Sequence, residues 1–437
     1  MRSCYGHFFG GTIALAVACA AGGIAQAQQS APPPVKIGIV TFLSGPAASP
    51  FGVPGRNGAE IVIEALNAGT APAPYNTVGL GGAKIDAKYV DEAGSTAQVV
   101  TEFRNLVQRD QVEAVLGYVS SGSCLAVTPV AEELKTLTIY YDCGTPRIFE
   151  EKPRHYVFRP EPTATMDNVA AARYLVARNK NITLYSGINQ NYAWGQDSWR
   201  DFEGTMAVLA PKAKVDKELF PKLFAGEYGA EISTLLISQS QAVHTSFWDG
   251  DLESFVYQSD ARGLAKRMPI IGTALEASMW RLRDKIPDGT MVGGRGPNGP
   301  FAPASALNTW FHKLYVDRYG TPPTYPSYQM ALVVLGLKTA WDKAQAQKSG
   351  TRPNTEEVIT AFEGIEYDAP NGHVKLAIGK GHQGIQETAY GTYKFNKQTK
   401  TPEFVDVVRF PAECVNPPAD VTADDWIKGG MKGAKCN

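Results

Sequence analysis

Two short polar loops carry the residue types best suited to chemistry. The first is Tyr118-Val119-Ser120-Ser121-Gly122-Ser123-Cys124 and the second is Asp142-Cys143-Gly144-Thr145. Each follows a short apolar run, EAVLG and TLTIYY, that reads as a buried strand. Ser121, Ser123 and Thr145 bring hydroxyls, and the backbone near Cys143 and Gly144 brings N–H donors. Several donors fixed at strand ends suit a carboxylate. They suit nucleophilic catalysis poorly: no G-x-S-x-G elbow follows a strand, and none of the six His has a recognisable role beside the serines. No Walker A sequence occurs, and no G-x-G-x-x-G follows the first strand, which argues against a nucleotide.

Aromatic residues form the second candidate group. Trp194 and Trp248 each end a strand pattern beside glycine and polar residues, which favours a site wall over a core position. Tyr118 and Tyr192 are further wall candidates. Such faces suit an apolar or aromatic organic ligand. Asp251 either meets an ammonium group or N-caps its helix. Glu276 is either a contact or a first-turn acid.

The elements that position these residues alternate. A strand Val35-Lys36-Ile37-Gly38-Ile39-Val40 leads through Phe51-Gly52 into a helix ending near residue 66. A strand over 84–90, a helix over 95–109 and the two loops with their strands follow. Residues 151–165 are proline-rich and extended, a crossing between domains. Beyond it come a helix over 164–179 and a strand over 181–185, whose loop holds Asn189, Tyr192 and Trp194. A helix over 196–209, a strand over 242–247 ending at Trp248, and a strand over 268–271 continue the pattern. Repeated βα units on both sides of a crossing predict an α/β chain with two parallel-sheet domains. Further on, the pattern predicts a strand over 289–294, helices over 303–319 and 326–341, and strands over 373–376 and 390–395.

Composition bounds the function classes. The 437 residues allow two domains, and 42 basic against 43 acidic residues give no electrostatic reason for nucleic acid. Residues 1–27 read as a signal peptide: Arg2, an apolar run from Phe8 to Ala21, and Ala25-Gln26-Ala27 as an A-x-A cleavage site. Cys19 lies in an imperfect lipoprotein box, so lipid anchoring is not expected. No later run is long enough to span a bilayer. Cleavage leaves Cys124, Cys143, Cys414 and Cys436. Four cysteines allow three pairings, and closeness in sequence favours Cys124–Cys143 and Cys414–Cys436. No His lies at ligand spacing from these cysteines, so neither a metal nor a cofactor is expected.

The stretches VKIGIVTFLSGPAASPFG, VEAVLGYVSSGSCLAVTPVAEE, TLTIYYDCGTP and NYAWGQD resemble the periplasmic branched-chain amino acid-binding proteins of ABC importers. The resemblance spans about residues 35–395. It implies two Rossmann-like lobes joined by three crossings, a type I periplasmic binding fold. The lobes would be 35–158 with 285–350, and 159–284 with 351–400, followed by a stapled tail over 401–437. It implies a ligand held between the lobes and presentation to permease subunits by a monomeric protein in the periplasm. The family's carboxylate-binding serine matches Ser121, its second-loop backbone contact matches Cys143, and its threonine matches Thr145. Its second-lobe aromatic matches Trp194, and a further contact region matches Trp248 to Asp251. The acid that holds the α-ammonium in the family falls near Ala274 or Leu275, with Glu276 slightly late. The expected ligand is therefore an amino acid or a related small carboxylate or amide. A ligand-sensing module for a membrane receptor is the alternative, and a hydrolase is the third reading.

Overall fold

The first apolar run of the described residues becomes β1 (Val35–Thr41), buried on both faces as a central parallel strand requires. A computed structural model of the chain describes residues 32–436. β1 is flanked by β2 (Ile85–Asp91) and β3 (Ala114–Gly117), and then come β4 (Leu137–Tyr140) and β5 (Val157–Phe158). All pairings are parallel, in the order β2-β1-β3-β4-β5. In this winding the strand order reverses between β1 and β3, and loops leaving those two strands diverge to leave a crevice.

The second lobe repeats the same winding. β6 (Leu184–Ile188), β7 (Lys214–Leu219), β8 (Val243–Thr245), β9 (Ile270–Gly272) and β10 (Met291–Gly293) run parallel in the order β7-β6-β8-β9-β10. Its reversal lies between β6 and β8. The loops that hold Tyr192 and Trp194 follow β6, and Trp248 follows β8. A small antiparallel sheet of β11 (Glu366–Ala369), β12 (Gly372–Ile378) and β13 (Gln383–Ile385) comes next. Then β14 (Thr388–Asn396) and β15 (Thr401–Phe410) extend the second sheet antiparallel beyond β10. The chain passes between lobes at 159–163, 294–305 and 386–387.

Three placements differ from the sequence expectation. β10, expected in the first lobe's 285–350 segment, pairs with β9 and β14 in the second sheet. The 351–400 segment was expected in the second lobe. Its early part instead packs Val358, Phe362, Tyr367 and Val374 into the first lobe's core. β15, expected within the tail, is the edge strand of the second sheet. In each case a local pattern shows that a strand or helix forms, but the sheet it joins depends on which distant apolar face remains uncovered.

The first lobe's outer layer is the long helix Tyr325–Gln347 against the helix Val53–Ala68, burying Leu332, Leu335 and Ile61 among others. In the tail, Cys414, Trp426 and Ile427 pack into the second lobe's core, and Cys414 is bonded to Cys436. Among the described residues no helix is long and apolar enough to cross a membrane. The expected signal segment and Cys19 lie outside the described residues.

Candidate functional site

The cleft between the lobes lies over both reversal points. From the first lobe it is lined by Phe51, Val119, Ser121, Asp142, Gly144 and Tyr325. From the second lobe come Tyr192, Trp194, Trp248, Ala274 and Arg295. The cleft is closed. The space between its lining side chains is about 230 Å³.

Ser121 opens the helix Ser121–Glu133, where unpaired N–H groups and the helix dipole favour an anion. Its Oγ accepts from the Thr145 N–H at 3.3 Å, which leaves its own O–H free to donate into the cleft. The loop before it is less available than its sequence suggests. The N–H groups of Val119 and Ser120 donate to the buried Glu92 carboxylate at 2.8 and 2.9 Å. Burial pushes the Glu92 carboxyl up to about 8 against those two bonds and a further bond from Ser123. Ser123 therefore serves Glu92 and does not line the cleft.

The second loop is tied to the first by the Cys124–Cys143 disulfide. The Cys143 carbonyl accepts from the buried Arg159 guanidinium, and its neighbours Asp142 and Gly144 line the cleft in its place. Thr145 is buried, but its hydroxyl donates across the lobes to Asp197 Oδ2 at 2.6 Å. Arg147 adds a 2.7 Å ion pair to the same carboxylate. Thr145 thus acts as an interlobe tie in the closed form, not as a free donor.

The aromatic walls fall where the sequence placed two of them. Trp194 and Trp248 stand at the starts of the helices Ala193–Leu209 and Asp249–Arg262. Both are 3% exposed and pack into the first lobe's core cluster across the closed cleft. Trp194 Nε1 donates to the Ser246 carbonyl at 2.8 Å, which fixes its ring. Trp248 Nε1 lies buried without a partner. Phe51 meets the Trp248 ring edge-on at 5.3 Å and the Tyr325 ring at 5.5 Å. Tyr192 also lines the cleft, as expected of a wall residue.

Two other expectations are corrected, and one of the two readings of Glu276 holds. Tyr118 has a positive φ of 70°, and its ring packs with Tyr140 in the cluster on the far side of the first sheet. Asp251 neither faces the cleft nor caps its own helix. It holds a loop, accepting from the N–H groups of Phe224 and Gly226 and from Gln190. Glu276 is a first-turn acid, in the short 3-10 turn Leu275–Ser278; it is fully buried and accepts from the Tyr325 N–H at 2.7 Å, another tie between lobes.

The residue that sequence reasoning missed is Arg295. It follows β10 in Gly293-Gly294-Arg295-Gly296-Pro297, and a cation in a glycine-rich strand end was the available signal. Its guanidinium lies 4.5 Å from the Trp194 ring centroid and 5.5 Å from that of Tyr325. It pairs with Asp142 in the first lobe and with Asp167 at 3.0 Å in the second. Burial outweighs the guanidinium's pull on both carboxyls, raising Asp142 to about 7 and Asp167 to about 6. For Arg295 burial opposes the charge, but the two carboxylates outweigh it and hold the cation.

Two equally wound α/β lobes, with a polar and aromatic cleft over both reversal points, define a two-lobed binding-protein fold. Comparison with known proteins agrees. Residues 34–399 match the periplasmic binding protein family, and the chain belongs to it. A Leu/Ile/Val-binding protein homolog 4 of Brucella melitensis is 24% identical over 383 residues, 82% of this chain and 84% of that protein. Among solved structures, a solute-binding protein of an ABC transporter from Rhodopseudomonas palustris BisB5, in complex with 3,4-dihydroxybenzoic acid, has a TM-score of 0.75 at 18% identity. It covers 89% of this chain and 99% of its own. The branched-chain amino acid transporter substrate-binding protein LivJ of Streptococcus pneumoniae, in complex with isoleucine, has a TM-score of 0.70 at 17% identity, covering 86% and 99%. At these identities the structures speak for the fold alone.

Proposed function

We propose that this protein is the extracytoplasmic solute receptor of an ABC importer, capturing a small carboxylate or amide between its lobes and releasing it unchanged to permease subunits. The observation that carries the reading is Ser121. Its free hydroxyl sits at a helix start, inside a cleft walled by Trp194, Trp248 and Phe51. The carboxylate end of the solute meets Ser121 and the helix N-terminus, and the aromatic walls cover the remainder. The resemblance of the fold to solute-binding proteins in complex with 3,4-dihydroxybenzoic acid and with isoleucine supports a solute of that size.

The lobes part to admit the solute, and binding shifts the open–closed equilibrium by differential affinity. Micromolar affinity, about 8 kcal/mol, would suffice for capture and still allow release. Native mass spectrometry of the purified protein, followed by a thermal-shift screen of amino and aromatic acids, identifies the solute class. Calorimetry then compares wild type with Ser121→Ala. Affinity falls at least tenfold with the fold intact. Unchanged affinity would remove Ser121 from the site and the carboxylate reading with it.

A further inference from the structure

One carboxylate in the cleft is only half used. Asp142 lines the cavity and is 1% exposed. Its Oδ1 accepts from Arg295, while Oδ2 lies buried without a partner. An acceptor in that position is costly to leave unsatisfied.

Of the neighbouring donors, the Tyr325 hydroxyl stands beside Asp142 and lowers its pKa against burial, while the cation is committed elsewhere. Arg295 spends Nε on Asp167, Nη1 on the Asp142 carboxylate and carbonyl, and Nη2 on the Pro162 carbonyl. With both carboxyls ionised, Asp142 and Asp167 outnumber the one guanidinium between them by a single negative charge. The rings of Trp194, Trp248, Tyr192 and Tyr325 surround the same small space. Excess negative charge, a free acceptor oxygen and aromatic faces all attract a cationic N–H donor. No carboxylate reaches the cavity from the 274–276 segment: Ala274 lines it, and Glu276 is tied to the Tyr325 N–H. Ser121 and Asp142 follow the adjacent parallel strands β3 and β4, so both reach one cavity from the same lobe.

We propose that Asp142 is the specificity-determining residue of the cleft, receiving through Oδ2 an ammonium or other cationic N–H group of the solute whose carboxylate meets Ser121. The recognising acid thus comes from the first lobe, beside the carboxylate contact. This rests on the solute-receptor reading, and the test separates the two.

Wild-type protein is titrated calorimetrically with matched pairs: L-phenylalanine against 3-phenylpropanoate, L-leucine against 4-methylpentanoate, and 4-hydroxybenzoate against benzoate. The ammonium-bearing member of a pair binds at least tenfold more tightly, and in Asp142→Asn that ratio falls to near one. Equal affinity within the amino acid pairs overturns the role of Asp142 while the cleft reading stands. A preference confined to the hydroxyl-bearing acid also overturns it, because the donor is then neutral. Binding of no acid at all removes both. A ratio that stays at tenfold in Asp142→Asn overturns the role, and where that variant folds poorly Asp142→Ser supplies the same comparison.

Discussion

Replacing Arg295 by methionine tests the electrostatics of the cleft most directly. The substitution keeps an unbranched side chain between Trp194 and Tyr325 but strands two buried carboxyls, Asp142 and Asp167. In the wild type these ionise at about 7 and about 6. Both values lie above those of an unfolded chain, so folding retains protons and stability falls as pH rises through each of them. Without the guanidinium both carboxyls stay protonated to beyond pH 8, and the fall continues over a longer range. Up to pH 8 the variant loses two further pH units for Asp167 and one for Asp142. At 1.36 kcal/mol per unit this is about 4 kcal/mol of added destabilisation. That agrees with the roughly 3–5 kcal/mol expected when one partner of a buried ion pair is removed. At pH 5 both carboxyls are largely protonated in either protein, so the charge contribution nearly vanishes. Urea denaturation of wild type and Arg295→Met at pH 5 and pH 8 measures the difference. A deficit equal at the two pH values would refute the argument and leave only lost packing.

Two other outcomes follow from the geometry. A Cβ on Gly144 would stand 2.2 Å from Cζ3 of Trp194, a second-lobe atom that packs on this loop across the cleft. Gly144→Ala is therefore expected to cut solute affinity at least tenfold while leaving the melting temperature of the unliganded protein within about 2 °C; affinity equal to wild type would show that closure does not bring Trp194 onto this loop. Thiol counting on the denatured mature protein under non-reducing conditions should find no free cysteine, and Cys124→Ser with Cys143→Ser should cost about 3 kcal/mol for a loop of this length. Two or more free thiols would contradict the pairing.

The chain's alternation of short apolar runs with helical stretches was enough to establish two parallel-sheet lobes, because period and strand-end punctuation are local properties. The polar loop after β3 was legible for the same reason. So were Ser121, Tyr192, Trp194 and Trp248, since each stands at or just beyond the end of a strand pattern. Both disulfides in the structure are pairs that closeness in sequence had favoured.

What escaped the sequence depends on contacts between segments far apart in the chain. Ser123 read as a ligand donor until Glu92, which also takes the N–H groups of Val119 and Ser120, is seen to occupy it. Thr145 read as a free hydroxyl until closure brought Asp197 onto it. Tyr118 turned away because its backbone adopts a positive φ that no periodicity signals. Arg295 became the centre of the cleft only through Asp142 and Asp167, 153 and 128 residues away. A local pattern fixes where the chain bends and which side chains stand at strand ends. Which polar groups remain unpaired there is decided by the rest of the molecule, because every buried donor or acceptor is claimed by whatever partner the tertiary fold brings nearest.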